Sequence, residues 1–397
     1  MYFAAAQTKI NAPFAVKQAG HITQEEKLWS FRDDLYARLL YLEDENLAWL
    51  HISADNLGFD ISVQQTIEAQ LSSYFEKKKQ FCPCSGKKLH VTISCTHSHH
   101  CCDPEDAAYV RYFTDTVVEA AKNLKIREMG ELTVSYQTEC FDKLGKSRIS
   151  HHTSESVQVD LIRIWQGEKA VADIVIHNVH PTTLYANEPY FSAEYPGYLM
   201  HSMNQEEPDV FHTFMQGAAG DNSTRFTRSA QDYAAMEERA KLLWQQVRKM
   251  KQQTVSRSPM QLSMDKRVIA LSHTFEPIDM GNMPADLSER EKLTIGYGQI
   301  MRKRLEDAPE KLKKEVLLSC VDLGGVRIIF APNEMFSWWR TQVDDSFCAL
   351  VCYSNGEAPY MTGPGQCLLT YETFTDTVTD ASKKEIADVI RQWGTKG

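Results

Sequence analysis

The chain has 397 residues, and 43 Lys and Arg against 53 Asp and Glu leave a formal charge of −10. With 43% apolar and 24% charged residues it carries enough apolar side chains to bury a core, which excludes disorder as its main state. The acidic balance argues against duplex nucleic acid as a partner, and short basic runs such as Arg302-Lys303-Arg304 read as solvated helix faces.

In chain order, the first residues, Met1 to Lys9, lack the basic start and the apolar length of a secretory leader. No later run approaches the ~18 apolar residues that a membrane span needs, so no membrane span and a cytoplasmic location are expected. Leu47 to Ser53 reads as a strand, and a charged helix runs from Val63 to Gln80. Cys82-Pro83-Cys84 lacks the spacing of a zinc ribbon and reads as free thiols in a reduced compartment. The β-branched stretch Leu89 to Ser94 is a strand, and a helix is expected from Pro104 to Asn123. Leu132 to Tyr136, Val157 to Ile164, Val171 to Val179 and Phe211 to Met215 read as strands. Gln231 to Gln252 and Leu287 to Lys313 are helical, Val326 to Phe330 is a strand, and Met335 to Val343 a helix. Phe347 to Cys352 is a last strand, and Lys383 to Trp393 a closing helix. This alternation predicts α/β architecture, mixed β-sheets flanked by helices, with no linker to divide residues 1–397 into more than one domain.

Four strands end in residues with ligand chemistry, and strand ends are where open α/β sheets build their sites. After the first comes Cys95-Thr96-His97-Ser98-His99-His100-Cys101-Cys102, in which His97 and His99 share a face if the chain is extended. After the second comes His177-Asn178-Val179-His180-Pro181-Thr182-Thr183, where the proline favours an extended His180 and His177 faces the other side as a core residue. The third is Pro332-Asn333-Glu334, read as a carboxylate at a helix start. The fourth runs from Asn355 to Tyr360-Met361-Thr362. A fifth segment, Gly217-Ala218-Ala219-Gly220-Asp221-Asn222-Ser223, is rich in small residues that let backbone approach a ligand closely.

Taken in order, these segments resemble the catalytic domain of the neutral/alkaline, non-lysosomal ceramidases. Thr96-His97-Ser98-His99 is similar to that family's Thr-His-Thr-His motif, and His180-Pro181-Thr182-Thr183 to its His-Pro-Thr-Ser. Gly220-Asp221-Asn222-Ser223 resembles part of its Gly-Asp-Val-Ser-Pro-Asn, and Pro332-Asn333-Glu334 its Pro-Gly-Glu. Asn355 to Thr362 and Tyr371-Glu372 resemble its last motifs, and the length leaves no room for the family's C-terminal immunoglobulin-like domain.

The resemblance implies a Zn²⁺ held by His97, His180, Glu334 and Tyr360, a donor set that suits a borderline metal. It implies an N-acyl amide hydrolase in which metal-bound hydroxide attacks the carbonyl. His99, expected to titrate near neutrality, would move the proton, Tyr371 would donate to the oxyanion, and Arg148 would meet the substrate. Asp221 would orient a ligand histidine, and Ser223 is the alternative, serine-nucleophile reading.

The chain departs from the family where His100-Cys101-Cys102 replaces a small loop, narrowing the pocket or offering a second metal, and where Arg225 follows the Ser223 segment. These changes point to a small-molecule amide more polar than ceramide. A metabolite-binding relative without turnover, and a metal-dependent esterase or sugar-active hydrolase on the same scaffold, are the competing readings. Oligomeric state is not legible.

Overall fold

A computed structural model describes residues 1–21, 30–77, 87–149, 157–281, 287–365 and 369–395. Lys78, Lys79, Cys82 and Cys84 lie outside the described residues. Three mixed sheets carry the fold. The first has the order Leu89–Cys95, Ala48–Ala54, Tyr36–Glu43, Tyr2–Lys9, Arg127–Glu128, and its first pair is parallel. The second has the order Phe211–Gln216, Lys169–His177, Gln158–Gln166, Thr133–Cys140, Ser258–Pro259, again with its first pair parallel. The third has the order Ser263–Ala270, Glu315–Asp322, Arg327–Phe330, Cys348–Val351, with its last pair parallel.

Alternation along the strands sorts their side chains between layers. Leu40, Leu42 and Trp49 of the first sheet meet Ile162, Ile174 and Ile176 of the second and Ile328 and Phe330 of the third, in a core made mainly of sheet faces. The opposite faces meet helices. Leu39, Leu50 and Ile52 pack with Ile67 and Leu71 of α1 (Ile61–Lys77) and Phe113 and Val117 of α2 (Ala107–Lys122). Leu161 and Val175 pack with Leu199 of α3 (Glu194–Glu206) and Leu243 of α4 (Tyr233–Lys251). Ile329 and Leu350 pack with Ile386, Ile390 and Trp393 of α7 (Asp380–Gly394). Burial on both faces is why these strands read as unbroken apolar runs. Two further helices, α5 (Glu289–Asp307) and the short α6 (Tyr371–Thr375), lie against each other.

Local signals fix the helix ends. Asp106 caps α2 through the N–H groups of Ala108 and Tyr109, and Ser288 with Glu291 forms a capping box on α5. One expected helix start is different. Glu334 lies on a strand, Asn333–Met335, which pairs in parallel with Ala358–Met361 and places Glu334 opposite Tyr360. A 3-10 turn, Ser337–Gln342, takes the place of the expected helix after Met335.

Candidate metal centre

The three sheets meet end to end, stitched by backbone hydrogen bonds. Cys95 N–H donates to the Tyr353 carbonyl at 3.0 Å, and Ser354 N–H to Ala331 at 3.0 Å. Cys352 N–H donates to Gln216 at 2.9 Å, and His180 N–H to Asn222 at 3.1 Å. His97, His180 and Tyr353 sit just past strand ends at this seam, and Glu334 lies on the short strand that follows Phe330. His97 holds a left-handed backbone (φ 61°), as does Tyr353 (φ 53°), conformations that side chains larger than glycine adopt at a cost. The Tyr353 ring stacks on His97 at 3.9 Å, a contact for which the sequence carries no motif.

Each of three imidazoles is fixed by a main-chain carbonyl. His97 Nδ1 donates to Leu57 at 2.9 Å, His180 Nδ1 to Ala219 at 2.7 Å, and His99 Nδ1 to Gly20. A carbonyl can only accept, so the proton sits on Nδ1 and Nε2 is left as the inward-facing nitrogen. Ring nitrogens of His97, His99 and His180 lie within 4.8 Å of one another. Glu334 Oε2 sits 3.2 Å from both His97 Nε2 and His180 Nε2. His99 Nε2 is buried with no hydrogen-bond partner among the described residues. Two imidazole nitrogens flanking one carboxylate oxygen repel unless a cation, a proton or a metal ion, lies between them. The donor set, imidazoles plus carboxylate with carbonyl-anchored rings, fits a zinc-type ion.

Burial by itself would raise the Glu334 carboxyl, but the neighbouring His97 and His180 hold it well below the usual carboxylate range. Burial pushes His180 down, against the pull of Glu334. His99 is driven well below the ordinary histidine range by burial and then by His97, His21 and His180. The expectation that it titrates near neutrality is therefore corrected: it is a neutral ring, in the form that accepts a proton or ligates. Burial, and then Glu334, raise the Tyr360 phenol. The Tyr371 phenol is pushed up to about 12 by burial and then by Glu334, so it keeps its proton and can donate.

Other expected residues serve different ends. Arg148 donates to Gly220 O at 2.7 Å and Tyr360 Oη at 3.3 Å and forms an ion pair with Glu372 at 3.0 Å, so it braces the tyrosine. Among the described residues the Asp221 carboxylate meets no histidine; it accepts from Ser337 N–H at 2.6 Å and Ser337 Oγ at 2.7 Å, pinning the turn that follows Glu334. Ser223 pairs with His180 through the backbone, and its hydroxyl accepts from Arg225 N–H at 3.2 Å. Among the described residues no histidine or carboxylate is bonded to that hydroxyl, so a serine nucleophile has no base. Cys101 and Cys102 are buried in the core against α2 and offer no second metal at the pocket. His177 donates from Nδ1 to Gln158 O at 2.7 Å inside the sheet, as a core histidine.

Sequence reasoning missed Gly20 and His21. A Cβ at Gly20 would lie 2.6 Å from His99 Cα, so only glycine lets that carbonyl reach the ring. The His21 ring stands 5.4 Å from that of His99, in a segment with no periodicity to mark it. A second group, Asp173, Glu207 and His212, has metal-like spacing, but the Lys251 ammonium bridges its two carboxylates and fills the role of the cation.

Glu194, at the start of α3 with φ 55°, accepts from Leu184 N–H at 2.7 Å and Tyr195 N–H at 3.2 Å and so pins the loop leaving His180. Burial pushes its carboxyl up to about 7. A folded-state pKa above the unfolded value of about 4.3 means that its contribution is complete below that value and is lost as pH rises through 7. The loss amounts to roughly 3 kcal/mol. Denaturant unfolding should therefore show wild type losing more stability between pH 5 and pH 8 than Glu194→Gln; parallel curves would refute this.

Two solved structures share the fold. One, described as a ceramidase complexed with C2, matches with a TM-score of 0.74 at 12% identity, over 99% of this chain and 74% of its own. The other, neutral ceramidase from Pseudomonas aeruginosa, matches with a TM-score of 0.75 at 13% identity, over 99% and 74%. Comparison with protein-family models matches none, and comparison with curated protein sequences matches none. The fold is ceramidase-like: mixed sheets with helices in a single unit. Among the described residues no helix is long and apolar enough to cross a membrane.

Proposed function

We propose that the protein is a zinc-dependent hydrolase of an N-acyl amide bond, related to the neutral ceramidases and acting on a smaller, more polar substrate in the cytoplasm. The observation that carries this reading is the grouping of His97, His99 and His180, each tied by Nδ1 to a carbonyl, with Glu334 Oε2 3.2 Å from Nε2 of both His97 and His180. A divalent ion bound there would supply Lewis acidity and an activated water. His97, His180 and Glu334 would hold it, with Tyr360 opposite Glu334 as the fourth donor and His99 as a neutral base at the same point. Tyr371, whose ring meets that of Tyr360 at 6.1 Å, would donate its hydroxyl hydrogen to the carbonyl oxygen as charge develops on it. Arg148 keeps Tyr360 in place and offsets the Glu334 charge.

Elemental analysis of purified protein should find one zinc per chain, and His97→Ala should lose it. Hydrolysis of N-acyl amines and short-chain ceramides, measured by amine release, should stop on chelation and return with zinc. One full equivalent of zinc in His97→Ala would remove the ligand assignment. Zinc binding with no turnover on any amide would favour a binding protein instead.

A further inference from the structure

Tyr353 lies two residues past Cys348–Val351, the last strand of the third sheet, and His97 two residues past Leu89–Cys95 of the first. The two strand ends are tied to each other. Ser94 bridges Ser354, Cys95 N–H donates to Tyr353 O at 3.0 Å, and Asn355 N–H donates to Ile93 O at 3.0 Å. Both Tyr353 and His97 then take left-handed backbones, φ 53° and 61°, which persist only where the surroundings fix them. The outcome is one ring laid on the other, with centroids 3.9 Å apart and 29° between the planes. Tyr353 is 4% exposed and His97 2%, so water has little access to the stack.

The stack supplies what a hydrogen bond does not. His97 Nδ1 donates to Leu57 O at 2.9 Å, and a bond at one nitrogen leaves the plane of the ring able to rock about it. A flat face in van der Waals contact stops that rocking. His180 lacks such a face: the nearly parallel ring of Tyr360 stands 6.4 Å away, beyond contact. The Tyr353 face also has a charge preference. Its π surface is negative, and an imidazole that shares its lone pair with a cation is more positive than a free one. The contact therefore favours the ion-loaded form of His97. The Tyr353 hydroxyl is buried with no hydrogen-bond partner among the described residues, so phenylalanine at this position would break no bond and would isolate the ring's contribution.

We infer that Tyr353 is a positioning residue of the metal centre, holding the His97 imidazole in the plane from which Nε2 reaches a divalent ion beside Glu334. This rests on the metal-binding part of the reading above and is independent of which bond the protein cleaves.

The test titrates ion-free wild type, Tyr353→Phe and Tyr353→Leu with zinc against a chromophoric chelator, and then records visible spectra of the cobalt-loaded proteins. Tyr353→Phe should match wild type in zinc affinity and in its cobalt bands. Tyr353→Leu should bind zinc about 10- to 100-fold more weakly, the range that follows loss of a group orienting a metal ligand, and its cobalt bands should shift as His97 turns. Tyr353→Met, unbranched and without a flat face, is the second variant should leucine fail to fold. Thermal unfolding of the ion-free proteins separates the two effects: weaker zinc binding at an unchanged ion-free midpoint supports the role, and a loss confined to variants that no longer fold overturns it. Wild-type affinity and cobalt bands in Tyr353→Leu would overturn the role while leaving the zinc site in place, as would equal weakening in Tyr353→Phe. A wild-type protein that takes up neither zinc nor cobalt would overturn it together with the metal reading.

Discussion

On the proposed zinc-hydrolase reading, Glu334→Gln should abolish zinc binding and amide hydrolysis while leaving the chain folded. Glu334 Oε2 is the one oxygen shared by His97 and His180, each 3.2 Å away. Glutamine keeps the volume and one acceptor, so packing survives, but it removes the charge that a divalent ion needs between two imidazoles. Changes to groups that merely orient metal ligands cost 10- to 100-fold in affinity, so loss of the carboxylate should exceed about 100-fold. Competition with a chromophoric chelator would read this directly, alongside a fall in amide hydrolysis of about 1000-fold or more. Near wild-type zinc affinity in the variant would show that the ion does not bind at Glu334.

A second large effect is expected from a single methyl group. In Gly220→Ala the new Cβ would sit 2.7 Å from Glu334 O and 2.9 Å from both Met335 C and Met335 O, all backbone atoms that cannot swing aside. Gly220 N–H also donates to Met335 O at 2.8 Å, so the two segments cannot separate without breaking that bond. Overpacking of this kind costs about 3 kcal/mol. It also pushes Glu334 away from His180, whose anchoring carbonyl, Ala219, is the preceding residue. Thermal unfolding should show the loss, and the protein that stays folded should bind zinc weakly. Gly296→Ala is the control, since nothing lies within 4 Å of its Cβ position in α5. A better helix former there should stabilise by up to about 1 kcal/mol. Equal effects at the two sites would show that the contact at Gly220 is not what matters.

The fold and the site were legible to different depths. Strands such as Leu89–Cys95 and Lys169–His177 announce themselves by apolar runs, and the histidines past their ends by proximity to a break. Glu334 looked like a helix start because its strand, Asn333–Met335, is three residues long and exists only by pairing with Ala358–Met361. No local pattern encodes a partner more than twenty positions away. The role of Asp221 was lost for the same reason: Ser337, which it holds, is 116 positions on. Gly20 and His21 stand outside every periodic segment, so only their contacts with His99 reveal them. Cys101 and Cys102 misled in the other direction, because nearness in sequence to the histidines does not say which way a side chain turns.

The seam where three sheet ends meet also governs assembly. Its imidazole and carboxylate donors come from positions 97, 99, 180 and 334, so no single hairpin or helix pair can capture an ion on its own. Uptake of an ion at this seam would wait for those long-range pairings. An ion held there would act as a latch on the entire chain, each tenfold excess over its dissociation constant adding about 1.4 kcal/mol to the free energy of unfolding.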